Sequence, residues 1–283
     1  MAARTSRSGR AGGEAQPDPL TYRAPALEKG LDILELLSDQ SGGLILSQIA
    51  QRLGRSVQEV YRVVLSLERR GYVVRQPLDD TFQISLKLFD LASKHPPLRR
   101  LLDAARPILH GVAAEVEEAI MLSVLDGCRA RVVAVAENPA PIGFRVRIGT
   151  QSRLLTKASG RTLLAYQPPN GTWLRDAAVA DIRDQVRDTA RLLQRVERIA
   201  ERGYEMVADE TLKGITDVSF PIVDVAGVAQ AAITMPFLSW VTDNMQLADA
   251  VAALGREAAQ LCGQIGGQLP TPVLPIPEAD LTP

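Results

Sequence analysis

Residues 46–67, LSQIAQRLGRSVQEVYRVVLSL, constrain the fold more than any other stretch, because their apolar spacing predicts two short helices around a tight turn. Leu46, Ile49, Ala50 and Leu53 recur at helical spacing, and Ser47 is placed to cap the first helix by accepting a backbone N–H bond. Gly54 follows the last apolar residue, where a left-handed C-terminal position favours glycine. Ser56 is placed to cap a second helix, whose Val57, Val60, Val64 and Leu67 make one buried stripe. That stripe turns Gln58, Glu59, Tyr61 and Arg62 outward near the helix start. Such side chains read base edges when a helix of this kind lies in the DNA major groove. Ser47, Gln48, Arg55 and Ser56 flank the same face and join the candidate DNA contacts.

The next residues extend the pattern. In ERRGYVVRQPLDDTFQISLKL, Gly71 ends the helix, Tyr72, Val73 and Val74 begin a strand, and Pro77 to Asp80 form a turn. Phe82, Ile84 and Leu86 alternate as the returning strand. A hairpin directly after such a helix is a wing, and Arg75 on it is a further candidate DNA contact. Upstream, Leu27, Leu31, Ile33, Leu34 and Leu37 predict an amphipathic helix packed behind the pair. Residues 42–75 hold six arginines against two glutamates, whereas the whole chain carries a net charge of −1. Positive charge gathered on one element is the footprint that phosphate contact requires. The alternative reading is a wing-bearing domain used for protein contacts.

At 283 residues the chain has room for about two domains with separate cores. With 46% hydrophobic and 23% charged residues it has the composition of an ordinary soluble globular protein. No apolar run approaches the roughly 20 residues that span a membrane, so no membrane contact is expected. The opening MAARTSRSGRAGGEAQPDP lacks the apolar centre of a secretion signal. It reads as a disordered, solvated leader whose arginines are within sequence reach of DNA phosphates. The closing GGQLPTPVLPIPEADLTP reads as a Pro-rich disordered tail. Cys128 and Cys262 form no CxxC pair, and His95 and His110 lie far from both in sequence, so neither a metal site nor a cofactor is expected. A reducing cytoplasmic compartment fits this cysteine usage.

Beyond the wing, SLKLFDLASK predicts a linker helix stopping before Pro96 and Pro97. A long helix follows from Leu98, with a kink or fresh start expected at Pro107. IMLSVLDG and CRARVVAVAE predict a hairpin, and FRVRIG a further strand. Helices are expected over Thr156–Tyr166 and Asp184–Arg202, the second stopped by Gly203. YEMVADE, DVSFPIVD and VAQAAITMPF read as strands and Leu247–Ile265 as a closing helix. The expected fold class is α+β. A winged helix-turn-helix over 26–84 and a linker over 85–97 precede an α/β sandwich with an antiparallel sheet over 98–266, with tails at 1–25 and 267–283.

At this point the chain resembles the IclR family of bacterial transcriptional regulators. The resemblance runs from Ala26 to about Gly266. It is carried by ALEKGLDILELL, LSQIAQRLGRSVQEVYRVVLSLERRGYV, the wing, LLTKASGRTLLA, ERGYEMVADE and DVSFPIVDVAGVAQAAITM. It implies a winged-helix reader of double-stranded operator DNA joined to a GAF-like effector-binding domain, as a homodimer or homotetramer, in control of genes for catabolism of small organic compounds. Gln58, Glu59 and Tyr61 depart from the residue types usual in the family's reading helix, so the operator cannot be borrowed from relatives. Arg62 matches the family's arginine.

The resemblance also places an effector pocket between the sheet and the helix that follows Leu154-Leu155-Thr156, with Ala158 and Ser159 at the helix start. Free N–H groups there suit a carboxylate. Asp217, Ser219 and Thr234 would form the opposite wall, with Met121 and Phe144 as apolar neighbours. Asp217 departs from the family. It is an acceptor for an effector hydroxyl, or else a residue that caps a strand or faces solvent; Thr156 and Thr234 have simple packing as their alternative, and Met121 and Phe144 ordinary core. The rival functions are a winged-helix interaction scaffold and an enzyme with a fused regulatory head. No Gly-x-Ser-x-Gly elbow, phosphate loop or His-Glu-x-x-His helix is present to support the enzyme.

Overall fold

The computed structural model describes residues 24–93, 96–139, 143–168, 172–186, 188–238 and 245–272. The expected leader up to residue 23, His95 and the last eleven residues of the expected tail lie outside that set. The chain divides into two compact units, at His95/Pro96.

In the first unit, helices α1 (Pro25–Ser38), α2 (Leu46–Arg52) and α3 (Val57–Arg69) precede strands β1 (Val73–Arg75) and β2 (Phe82–Ile84), and α4 (Lys87–Ser93) closes it. Ile33, Leu37, Ile49, Val60, Val64 and Phe82 are buried together in its core. The strands pair antiparallel with Val73 opposite Ile84 and Arg75 opposite Phe82, and Leu44 bridges to Phe82. Between α2 and α3 the chain reverses through Gly54 at φ +61°, a conformation costly to a residue with a Cβ.

Two local expectations fail here. Ser47 does not cap α2: the helix starts one residue earlier, at Leu46, so its hydroxyl lies inside the first turn. Ile45 holds the cap position and has no side-chain acceptor; Gln48 Oε1 reaches back to the Ile45 N–H at 3.2 Å instead. The buried stripe of α3 is also narrower than its spacing implied. Val60 and Val64 are buried, but Val57, on the opening turn, is 49% exposed and Leu67 only half-buried.

The second unit is a six-stranded antiparallel sheet in the order β5-β4-β3-β8-β7-β6. Its elements are α5 (Pro96–Val116), β3 (Ile120–Asp126), β4 (Arg129–Ala136), β5 (Gln151–Arg153), α6 (Ala158–Ala165), α7 (Thr172–Ile182), α8 (Thr189–Arg202), β6 (Glu205–Ala208), β7 (Ile215–Val223), β8 (Ala229–Leu238) and α9 (Leu247–Gln264). Strand residues alternate between two cores. Ile120, Leu122, Val218, Phe220 and Ile233 join the α5 and α9 side. The opposite core gathers Leu155 and Leu163 with Leu174 of α7 and Val196 of α8. No helix among the described residues is long and apolar enough to cross a membrane.

Four more expectations are corrected in this unit. Pro96 and Pro97 start α5 instead of ending the linker, since a helix's first turn has no use for the missing N–H. The same helix runs through Pro107, so of the two outcomes expected there, a kink or a fresh start, the second does not occur. FRVRIG is not a strand: the chain joins the sheet only where the Gly149 N–H meets the Val132 carbonyl, and the edge strand is Gln151–Arg153. The expected helix over 184–202 begins only at Thr189, where Asp188 accepts from the Arg191 N–H at 3.0 Å, and a separate α7 precedes it. Gly203 does end it, at φ +95°. Part of the expected C-terminal tail is folded, with the Gly267 N–H donating to the Cys262 carbonyl (2.8 Å).

Candidate DNA-reading helix and effector site

Ser56 sets the start of α3 through a reciprocal cap. Its hydroxyl accepts from the Glu59 N–H at 3.3 Å, while Glu59 Oε2 accepts from the Ser56 N–H at 3.3 Å. Glu59 Oε1 also takes a bond from Lys29 Nζ at 2.6 Å, which ties α1 to α3. The Lys29 bond first, then those from Ser56, pull the Glu59 carboxyl down to about 2. Arg55 Nη2 donates to Asp32 Oδ2 at 2.7 Å, a second tie to α1. Arg75 lies over the Phe82 ring and donates through Nε to Asp80 at 3.1 Å, bracing the wing while staying half exposed.

The candidate DNA contacts thus separate into two groups. Arg55, Ser56, Glu59, Gln48 and Arg75 have side chains engaged in holding the unit together. Gln58, Tyr61 and Arg62 are exposed and carry no side-chain hydrogen bond or ion pair among the described residues. Spaced at i, i+3 and i+4, they share one face of α3. Ser47, in the first turn of α2, is exposed and likewise carries no side-chain hydrogen bond among the described residues.

In the second unit, the face turned away from α5 and α9 carries the candidate effector residues. Met121 on β3 stands opposite Thr234 on β8, and Thr234 opposite Ser219 on β7. Ser219 Oγ and Thr234 Oγ1 lie 2.9 Å apart, both buried, so each satisfies the other. Thr162 of α6 donates to the Ser219 carbonyl at 3.4 Å, so the helix lies over this face. Asp217, two residues before Ser219 on the same face, is mid-strand and 6% exposed; it neither caps a strand nor faces solvent.

The head of α6 differs from expectation. Thr156 belongs to a 3-10 turn, Leu154–Thr156, and its hydroxyl donates to the Arg153 carbonyl at 3.3 Å. Lys157, with extended backbone, is the N-cap residue and makes no side-chain cap. Because Arg161 N–H already bonds the Lys157 carbonyl, the free N–H groups belong to Ala158, Ser159 and Gly160. Gly160 is required there, since a Cβ on it would stand 2.4 Å from the Leu154 carbonyl oxygen. Phe144 lies on the loop before β5, half-buried.

A hydrogen-bond chain links that helix head to the sheet. Lys157 Nζ donates to Thr211 Oγ1 at 3.2 Å, and Thr211 Oγ1 donates to Asp217 Oδ2 at 2.6 Å. Asp217 Oδ1 accepts no hydrogen bond among the described residues. Burial chiefly pushes the Asp217 carboxyl above its usual range, with a contribution from the Glu210 charge; the Thr211 bond, Lys157 and Arg161 oppose it.

Behind the chain sits a buried ion group. Arg161, fully buried, donates to Glu205 at 3.0 Å, to both oxygens of Glu210 at 2.7 and 3.1 Å, and to the Leu155 carbonyl at 3.0 Å. Glu205 also accepts from Arg195 at 2.9 Å and Arg202 at 2.5 Å. Burial disfavours the Glu205 charge, but Arg161, Arg195 and Arg202 outweigh it and hold the carboxyl below its usual range. Sequence reasoning quoted SGRTLLA and ERGYEMVADE without assigning these residues. No local signal sets them apart, since ERGYEMVADE is rich in charge and a single arginine in a helical segment is ordinary. No group of three or more His, Cys, Asp or Glu among the described residues could hold a metal ion.

Residues 98–263 match the family described as bacterial transcriptional regulator IclR C-terminal, and residues 26–77 match the IclR helix-turn-helix domain. The chain belongs to the IclR family. It is 31% identical over 255 residues to the HTH-type transcriptional regulator BhcR of Paracoccus denitrificans, covering 88% of this chain and 90% of that one. It is 24% identical to the KdgR regulator of Escherichia coli, covering 89% of this chain and 95% of that one. A crystal structure of an IclR homologue from Microbacterium hydrocarbonoxydans, complexed with 4-hydroxybenzoate, shares the fold at TM-score 0.70 and 20% identity, covering 85% of this chain and 98% of that one. This IclR-family chain is therefore a DNA-binding transcriptional regulator, with a helix-turn-helix unit followed by the α/β unit that carries the Asp217 face.

Proposed function

We propose that this regulator changes its affinity for operator DNA when a small organic acid binds between the head of α6 and the sheet face carrying Asp217. The observation that carries this reading is the Lys157–Thr211–Asp217 chain, which runs from the side chain of Lys157, the N-cap residue of α6, to a buried carboxylate with one unpartnered oxygen. The helix end favours an anion by about 0.3–2 kcal/mol. A carboxylate held there, with a hydroxyl donating to Asp217 Oδ1, matches both ends. The homologue bound to 4-hydroxybenzoate supports this class, since that ligand carries one carboxylate and one hydroxyl. Met121, Ala158, Ser159, Ser219 and Thr234 line the space between, and Thr156 supports the turn beneath it.

On DNA, Gln58, Tyr61 and Arg62 read bases, while Arg55, Ser56, Glu59 and Arg75 hold the reading surface. The protein works as a homodimer or dimer of dimers on inverted half-sites, because one helix-turn-helix makes too few base contacts for useful specificity. Exposed Leu27 and Leu31 on α1 and Phe89 and Leu91 on α4 supply apolar surface for that association. It acts in the cytoplasm, on genes for catabolism of the effector or its relatives, and performs no catalytic step. Binding energy is spent on coupling between effector and operator.

Calorimetry with hydroxy acids, aromatic acids and sugar acids, on wild type and Asp217→Ala, tests the site. The expected result is binding of a hydroxylated carboxylate that weakens at least tenfold in the variant. An uncharged cognate effector, or equal binding by Asp217→Ala, overturns the assignment.

A further inference from the structure

Asp217 governs which acids can occupy the site between α6 and the sheet. It is 6% exposed, and among the described residues its carboxylate accepts one hydrogen bond, from Thr211 to Oδ2 at 2.6 Å. Its cross-strand neighbours, Val207 on β6 and Pro236 on β8, carry no charge. From the β6–β7 turn, Thr211 donates to it and Glu210 adds a second negative charge nearby. The cations that face it come from α6 and its cap, Arg161 and Lys157. Arg161 is taken up by Glu205, both oxygens of Glu210 and the Leu155 carbonyl. Lys157 reaches Asp217 only through the Thr211 hydroxyl, in steps of 3.2 and 2.6 Å.

The two ends of the site therefore ask for opposite chemistry. The head of α6 offers free N–H groups and the positive end of a helix dipole. The sheet end offers an acceptor oxygen and negative charge. A hydroxyl placed there donates to Asp217 Oδ1. A carboxylate placed there meets a like charge. At about 4 Å and an effective dielectric of about 20, that repulsion amounts to roughly a thousandfold in affinity.

We propose, building on the organic-acid reading above, that Asp217 restricts the effector to hydroxylated monocarboxylates and excludes the dicarboxylates of matching length. A dicarboxylate enters only by sharing a proton with Asp217, so its binding takes up a proton and strengthens as pH falls. A hydroxyl donating to Oδ1 favours the charged carboxylate instead, so a hydroxy acid takes up none.

The test is calorimetry on full-length wild type and Asp217→Asn, with matched pairs in which a carboxylate replaces the hydroxyl. The pairs are glycolate and malonate, 3-hydroxypropionate and succinate, 4-hydroxybutyrate and glutarate, and 4-hydroxybenzoate and terephthalate. Titrations at pH 7.5 and pH 6, each in two buffers of different ionisation enthalpy, count the protons. In the tightest-binding pair, wild type should prefer the hydroxy acid by at least about a hundredfold at pH 7.5, and by less at pH 6. Asp217→Asn keeps the shape without the charge. It should show a preference below about tenfold and bind the dicarboxylate with no proton uptake at pH 7.5. Wild-type affinities within tenfold of each other at pH 7.5 overturn the inference and leave the organic-acid site in place. So does a hundredfold preference that persists in folded Asp217→Asn. Should the variant fail to fold, the wild-type preference and its pH trend decide alone: a preference that does not shrink toward pH 6 overturns the inference. Absence of binding by every member overturns the organic-acid reading itself, and this inference with it.

Discussion

Glu205→Gln is the most exacting test of the second unit's architecture. Glu205 is fully buried and receives three guanidinium groups, from Arg161, Arg195 and Arg202 at 3.0, 2.9 and 2.5 Å. Glutamine keeps the shape but removes the charge and replaces one acceptor oxygen with a donor NH2 group. Arg161, itself without solvent contact, is then left with Glu210 alone as counter-charge. Removing one partner of a buried pair costs about 3–5 kcal/mol, because the other charge stays desolvated. Arg161→Met should cost less, since Glu205 retains Arg195 and Arg202 while Glu210, at 13% side-chain exposure, can turn toward water. In a unit of this size 1 kcal/mol is worth about 2–4 °C, so Glu205→Gln should lower Tm by roughly 6–20 °C. Circular dichroism melts and urea titrations measure both variants, and the double variant should cost less than the sum of the two. The pH dependence has a defined sign. Glu205's pKa is lowered on folding, so its contribution is present above the unfolded carboxylate value and fades as pH falls toward the folded one. A loss below about 1 kcal/mol for Glu205→Gln, or a larger loss for Arg161→Met, would refute this account of the ion group.

Two further outcomes are expected. Arg62→Ala should weaken operator binding by about 1–3 kcal/mol if the guanidinium grips guanine, with melting unchanged because the side chain is exposed and unpaired; unchanged affinity across all sequences removes it from the interface. Asp217→Asn should stabilise the ligand-free protein at pH 7 relative to pH 4, because burial raises the carboxyl's pKa and its ionisation opposes folding as pH climbs; equal melting differences at both pH values would contradict this.

What the sequence determined by itself is what periodicity and punctuation carry. The helix pair with Gly54, the wing, the β3–β4 hairpin, the β7–β8 pair and α9 were legible because one face of each is apolar at a fixed period. Family resemblance supplied the two-part architecture and the general position of the effector site. Only tertiary structure decided which polar residues are spoken for. Glu59 and Gln58 are adjacent on the same turn of the same helix. Yet Lys29, thirty residues upstream, claims the first and leaves the second exposed. Likewise Asp217, read from sequence as plausibly solvent-facing, is buried because α6 covers its face of the sheet, and it finds Thr211 across the β6–β7 turn and Lys157 beyond it. The arginine–glutamate group escaped notice because its members are scattered between residues 161 and 210, each ordinary in its local segment. Periodicity records only whether a position faces an apolar neighbour. Pairing of charges depends on distances between segments remote in sequence, and those exist only once the chain has folded.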